Sequence, residues 1–90
     1  MTQYRFAVSV MPKDGILDPQ GRAVEGSLSH LGVENVTAVR VGRRVELSVG
    51  APSATDARAT VERLAQDLFA NPLIESWSIV EIGAAEPMAA

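Results

Sequence analysis

Between Tyr4 and Ile82 the spacing of apolar residues switches period in a fixed order, and no other feature restricts the available folds as tightly. From Tyr4 to Met11, Tyr4, Phe6, Val8 and Val10 alternate with Arg5, Ala7 and Ser9, the two-residue repeat of a strand with one face in a core; Pro12 and Gly15 end it. Asp18 before Pro19 then marks a helix start, because the carboxylate can accept an orphan N–H and proline suits the first helical position. Val24, Leu28 and Leu31 form one helical stripe, and Gly32 stands where a left-handed cap ends a helix. Inside this helix Gly21 and Gly26 each cost about 1 kcal/mol relative to alanine, which close packing against another backbone would offset.

The alternation returns at Thr37, Val39 and Val41, and again from Arg44 to Val49. With Gly42 and Arg43 between them, the two runs predict a hairpin closed by a two-residue turn of the II′ type. Ser53 and Asp56 then resemble a capping box, and Ala57, Val61, Leu64, Ala65 and Leu68 trace the stripe of a second helix. Arg58 with Glu62 and Arg63 with Asp67 lie one turn apart on its wet surface. Asn71 and Pro72 stop that helix, and Leu73 to Ile82 supplies a last strand whose register is open around Val80.

Strand, helix, strand, strand, helix, strand packs most simply as an α+β ferredoxin-like sandwich, a four-stranded antiparallel sheet with both helices on one face. The expected organisation is one domain over residues 1–82 and a flexible C-terminal tail over 83–90. The other sheet face would carry Arg5, Ala7, Ser9, Ala38, Arg40, Arg44, Glu46 and Ser48, small and neutral enough in part to take a partner.

At 90 residues without cysteine the chain has a thin stability margin and no disulfide or thiolate metal site to widen it, which leaves partner chains as the expected support. A net charge of −3 and a pI near 5.0 oppose attraction to nucleic acid or anionic membrane surfaces. Apolar runs are only a few residues long and the N-terminus lacks the pattern of an export signal, so a cytoplasmic location is expected.

Candidate chemistry is sparse. A single histidine, His30, precludes a site needing two imidazoles, and its place in a last helical turn suits the helix dipole. Asp14 and Asp18 flank a loop, but nothing nearby would desolvate one and ionise the other, and capping accounts for Asp18. Basic groups between Lys13 and Arg22 sit beside a helix N-terminus, an arrangement able to hold a phosphate. Arg40, Arg43 and Arg44 serve either solubility or charge-paired docking to an acidic partner; the strands that carry them have no aromatic on which RNA bases could stack.

Three blocks carry a resemblance. Leu17, Asp18, Pro19, Gln20 and Gly21, followed by Ala23, Val24 and the 26–31 segment, are similar to the first-helix motif of the PurS family. Val36 to Leu47, with Val39, Arg40, Val41 and Gly42 at its centre, resembles that family's hairpin, and Leu68 to Ile79, reading LFANPLIESWSI, is a third block similar to the family. The resemblance implies a non-catalytic accessory subunit of phosphoribosylformylglycinamidine synthase in purine biosynthesis. It implies that the chain bridges a PurQ-type glutaminase and a PurL-type synthetase, assists ammonia transfer, and forms dimers or tetramers with itself. No cofactor is expected on this chain; ATP and magnesium are expected on the synthetase. Asp18, Pro19, Gln20, Gly21, Arg40, Gly42, Arg43, Arg44, Asn71 and Pro72 are expected at or near subunit contacts. The alternative is a regulatory amino-acid-binding module, since ferredoxin-like domains also occur as paired sensors of the ACT type.

Overall fold

The computed structural model describes residues 1–83; the tail expected at 83–90 lies, from residue 84 onward, outside the described residues. Strand β1 (Thr2–Pro12) is central in a three-stranded antiparallel sheet, with β2 (Arg43–Ala51) on one side and β3 (Glu75–Glu81) on the other. Register opposes Phe6 to Leu47 and Glu81, and Val8 to Val45 and Ile79. The alternation in β1 therefore does what its period predicts: Phe6, Val8 and Val10 are each at most 1% exposed on the core face. Val80 falls opposite Ala7 on the other face, which settles the register of the last strand.

Helix α2 (Ala54–Leu64) covers the core face, burying Ala57 and Val61, and the Ser53 hydroxyl accepts the Asp56 N–H at 3.2 Å as its N-cap. Arg58–Glu62 and Arg63–Asp67 form the expected exposed pairs, each at 3.8 Å. The helix does not keep its period to the end. Residues Ala65–Phe69 form a wider π turn, so Phe69 packs against the core while Leu68, expected on the buried stripe, is 71% exposed.

Helix α1 (Pro19–Leu28) begins where predicted and continues as a tight turn, Ser29–Leu31, closed by Gly32 at φ 74°. Its place differs from the expectation. Gly21 is its only buried residue, and the helix packs on the segment before β2 rather than laying a stripe on the sheet. That segment, 37–41, was expected as a strand joined to β2 by a tight turn at Gly42 and Arg43. It is instead an irregular stretch, with Ala38 at φ 57°, and joins no ladder among the described residues. Instead of turning back along the open edge of β2, the segment gives its Val39 and Val41 N–H groups to Glu25 and Asp18, and Pro12, the next residue of β1 on that side, has no N–H with which to extend the ladder beyond Val10 and Arg43. Ala38 and Arg40 thus do not belong to the bare sheet face, which Ala7 shares with Arg44, Glu46, Ser48 and Val80.

Candidate partner-contact site

Asp18 does more than cap. Its Oδ1 accepts the Gly21 N–H at 3.0 Å, and its Oδ2 accepts the Val41 N–H at 2.8 Å. About two turns along, Glu25 accepts the Val39 N–H at 2.7 Å. Two carboxylates on one helix face thereby hold the backbone of the 39–41 segment. Between them Gly21 lets the backbones touch: a Cβ there would lie 2.2 Å from the Val39 carbonyl oxygen. Gly42 meets the same demand at the next contact, since a Cβ would lie 2.2 Å from the Val10 carbonyl oxygen. Gly26 faces open space and gains no such compensation. The N–H donors of Gly21 first and Val41 next hold the Asp18 carboxyl below its ordinary range.

Arg43 braces the opposite side. Its guanidinium makes a two-pronged pair with Glu75, at 2.7 and 3.0 Å, and also donates to the Phe69 carbonyl. Glu75 in turn accepts the Asn71 N–H at 2.7 Å, and the Asn71 side chain accepts the Leu73 N–H at 3.1 Å. The Lys13 ammonium donates to the Pro72 carbonyl at 2.6 Å. This network fixes the corner between α2 and β3. It also raises the Arg43 pKa, chiefly through the Glu75 hydrogen bond, and lowers that of Glu75 through the Arg43 hydrogen bond and then the Asn71 N–H.

The structure brings Asp18, Pro19, Gln20, Gly42 and Arg43 to one cleft of about 530 Å³, with apolar walls from Leu17, Val41 and Ile74. Arg40 lines a neighbouring cleft of about 510 Å³ with Lys13 and Arg22. That cleft is not a phosphate cradle, because the helix N-terminus it reaches already holds the Asp18 carboxylate, and Asp14 and Glu25 line the same space. The three arginines do not act together. Arg40 pairs with Asp14 at 3.6 Å, Arg43 with Glu75, and Arg44 with Glu46 at 2.9 Å on the bare sheet face. Sequence reading passed over Glu25 and Glu75. Glu25 had a signal: Asp18, Gly21 and Glu25 are spaced by three and four, a polar stripe beside the apolar one. Glu75 had none, because its partner is far away along the chain.

The PurS family of phosphoribosylformylglycinamidine (FGAM) synthase matches residues 5–82. The PurS subunit of Mycobacterium leprae is 40% identical over 75 residues, covering 83% of this chain and 91% of that one. The Bacillus subtilis PurS structure superposes with a TM-score of 0.78 at 32% identity, over 89% of this chain and 99% of the other. A chain in the PurLQS structure from Thermotoga maritima superposes with a TM-score of 0.83 at 27% identity, over 91% of this chain and 100% of that one. With the fold, the capped first helix and the sequence in agreement over this length, the chain belongs to the PurS family of phosphoribosylformylglycinamidine synthase subunits.

Proposed function

We propose that this chain works as a structural subunit, bridging a PurQ-type glutaminase and a PurL-type synthetase and assisting the passage of ammonia between them in the cytoplasm. The observation that carries this reading is the likeness to the PurLQS chain over that chain's whole length. The electrostatics support it. Asp18 and Glu75 are held down and Arg43 is held up by structural hydrogen bonds, which keeps all three charged near neutrality instead of ready to exchange a proton. ATP and magnesium chemistry belong to the synthetase in this reading. Family membership does not favour the amino-acid-sensor alternative.

The cleft that gathers Asp18, Pro19, Gln20, Gly42 and Arg43 is the proposed contact region, together with Arg40 of the neighbouring cleft, Gly21, Asn71 and Pro72, which are bonded to the lining residues Asp18, Glu75 and Lys13, and Arg44 on the sheet. The protein also associates with itself. The complete four-stranded ferredoxin-like sheet belongs to that assembled state: the observed order β3, β1, β2 is the order of such a sheet without its outer strand. Reconstitution of glutaminase and synthetase with and without this chain tests the role. Glutamine-dependent synthesis is expected to need the chain, and equal synthesis without it would overturn the reading.

A further inference from the structure

We propose that Met11 is a site of reversible oxidation by a two-electron oxygen donor such as peroxide, and that its sulfoxide releases the 39–42 segment and loosens the contact region. The inference deepens the preceding reading, on which its functional consequence rests, by giving that region a redox control.

The segment is held differently from one residue to the next. Arg43 pairs with Val10 at the end of the β1–β2 ladder, and the Val41 and Val39 N–H groups are held by Asp18 and Glu25. Gly42 lies between these two kinds of support and forms no hydrogen bond among the described residues. What it meets is packing: the space that a Cβ would need is filled by the Met11 sulfur and the Val10 carbonyl oxygen. Pro12 offers no N–H to carry the ladder further, so the thioether closes this gap between β1 and the segment. A thioether suits the place because it is apolar, flexible and polarisable enough to follow a bare backbone.

A small oxidant can reach that sulfur. Met11 is half-buried and continues the sheet face of Arg5, Ala7 and Ser9, opposite the one that α2 covers; its neighbours there are small, Ser9 along the strand and Ser76 across it. Met1 is 94% exposed at the chain end, and Met88 lies outside the described residues, so among the described residues Met11 alone couples a thioether to the segment. In the oxidation a sulfur lone pair attacks a peroxide oxygen, the O–O bond breaks, an S–O bond forms and the other oxygen leaves as water; sulfur is oxidised by two electrons and the peroxide reduced. The sulfoxide is bulkier and polar. Against Gly42 it meets a carbonyl oxygen, which offers it no hydrogen-bond donor, so it turns to water and leaves Gly42 without its packing partner. Val41, the next residue, then loses its fixed position on Asp18. Methionine sulfoxide reductase reverses the change, two electrons from a dithiol removing the oxygen as water.

Peroxide treatment of the full chain, followed by removal of the peroxide, tests the two steps in turn. Peptide mass spectrometry locates the added oxygen, and hydrogen exchange at the Val41 amide is expected to accelerate about tenfold once Met11 carries it, while Val8 keeps its protection. The two methionine sulfoxide reductases with a dithiol should restore the slow rate. Met11→Leu keeps the apolar bulk and should be indifferent to peroxide, and Met11→Gln should show the fast Val41 amide with no oxidant. Met11 left unoxidised where Met1 is oxidised, oxidised Met11 with an unchanged Val41 amide, or the same acceleration in Met11→Leu overturns the proposal. Oxidised and reduced chains are then titrated into glutaminase and synthetase. The oxidised chain should require about tenfold more protein for half-maximal glutamine-dependent synthesis, and Met11→Leu the same amount before and after peroxide. A reduced chain that supports no synthesis sinks the bridging reading and with it the functional consequence, whereas equal titrations of an active chain before and after peroxide overturn the redox control alone.

Discussion

The two helices of this small fold are held by different forces. On the α2 side, Phe6, Val8, Val10, Ala57, Val61 and Ala65 exclude water from the space between helix and sheet, and β1 is paired along both edges. On the α1 side, Gly21 alone is buried, Leu17 and Leu31 stand 66% and 75% exposed, and two carboxylates hold the neighbouring segment by its backbone. Burial of apolar area gives a gain that water does not contest. A hydrogen bond at the surface exchanges one partner for another and returns much less. The first half is therefore built to define the fold, and the second to be positioned on it and to open locally.

The largest effect should come from the first half. Phe6→Ala removes a side chain that is 1% exposed beneath α2, at a cost of about 3–5 kcal/mol. A domain of this length has on the order of 5–13 kcal/mol in all, so chemical denaturation should show a midpoint far below that of the wild type. If the loss is below about 1 kcal/mol, the core does not sit where the burial places it and the contrast between the halves fails.

Gly21→Ala asks the same of the second half. On a free helix alanine would add about 1 kcal/mol, but here its Cβ would stand 2.2 Å from the Val39 carbonyl oxygen. The expected result is a local one. Hydrogen exchange at the Val39 and Val41 amides should accelerate while Phe6 and Val8 keep their protection. A variant that is more stable than wild type, with both valine amides still slow, would show that the two backbones are not in contact.

These two residues also show what the sequence could and could not disclose. Strand β1 and the start of α1 were legible because their signals are local: strict alternation in one, Asp18 before Pro19 in the other. The α+β class followed from the order of periods. The segment at 37–41 shows the limit, because its alternation is as regular as that of β2 yet its Val39 and Val41 N–H groups go to carboxylates of the first helix that only the fold brings there. Leu68 fails for a related reason, since a π turn shifts the helical phase by one residue and nothing local announces it. Of the candidate contact residues, the Asp18 to Gly21 group was legible as a cap. Its second role, as the holder of Val41, needed the fold.

A smaller effect should appear on acidification, and it separates the halves by mechanism. Asp18 and Glu75 have carboxyls held below their ordinary range in the folded chain, so the folded state binds fewer protons than the unfolded one there. Their contribution is complete above the ordinary carboxylate range near pH 4, and it is lost as pH falls through the lower folded values. Lowering the pH from 5 to 3 should therefore loosen the 39–41 segment and the Asn71 corner before the β1 core. Asp18→Asn should remove the pH dependence at Val41 and leave that at Asn71. Equal acid sensitivity of the Val41 amide in both proteins would mean that the Asp18 carboxylate is not what holds it.

The smallest expected effect bears on the end of α2, where the apolar residue and the buried residue differ. Leu68 belongs to the apolar stripe by spacing, and Leu68→Gln would cost several kcal/mol if an unbroken α-helix put it in the core. The π turn instead leaves it 71% exposed and gives its place to Phe69, so Leu68→Gln should alter stability by no more than about 0.5 kcal/mol. Phe69→Ala should be the damaging change, because that ring packs against the core cluster. Denaturation midpoints in the opposite order would restore the regular helix and place Leu68 under the sheet. The order expected here instead leaves Leu68 as an apolar side chain in water.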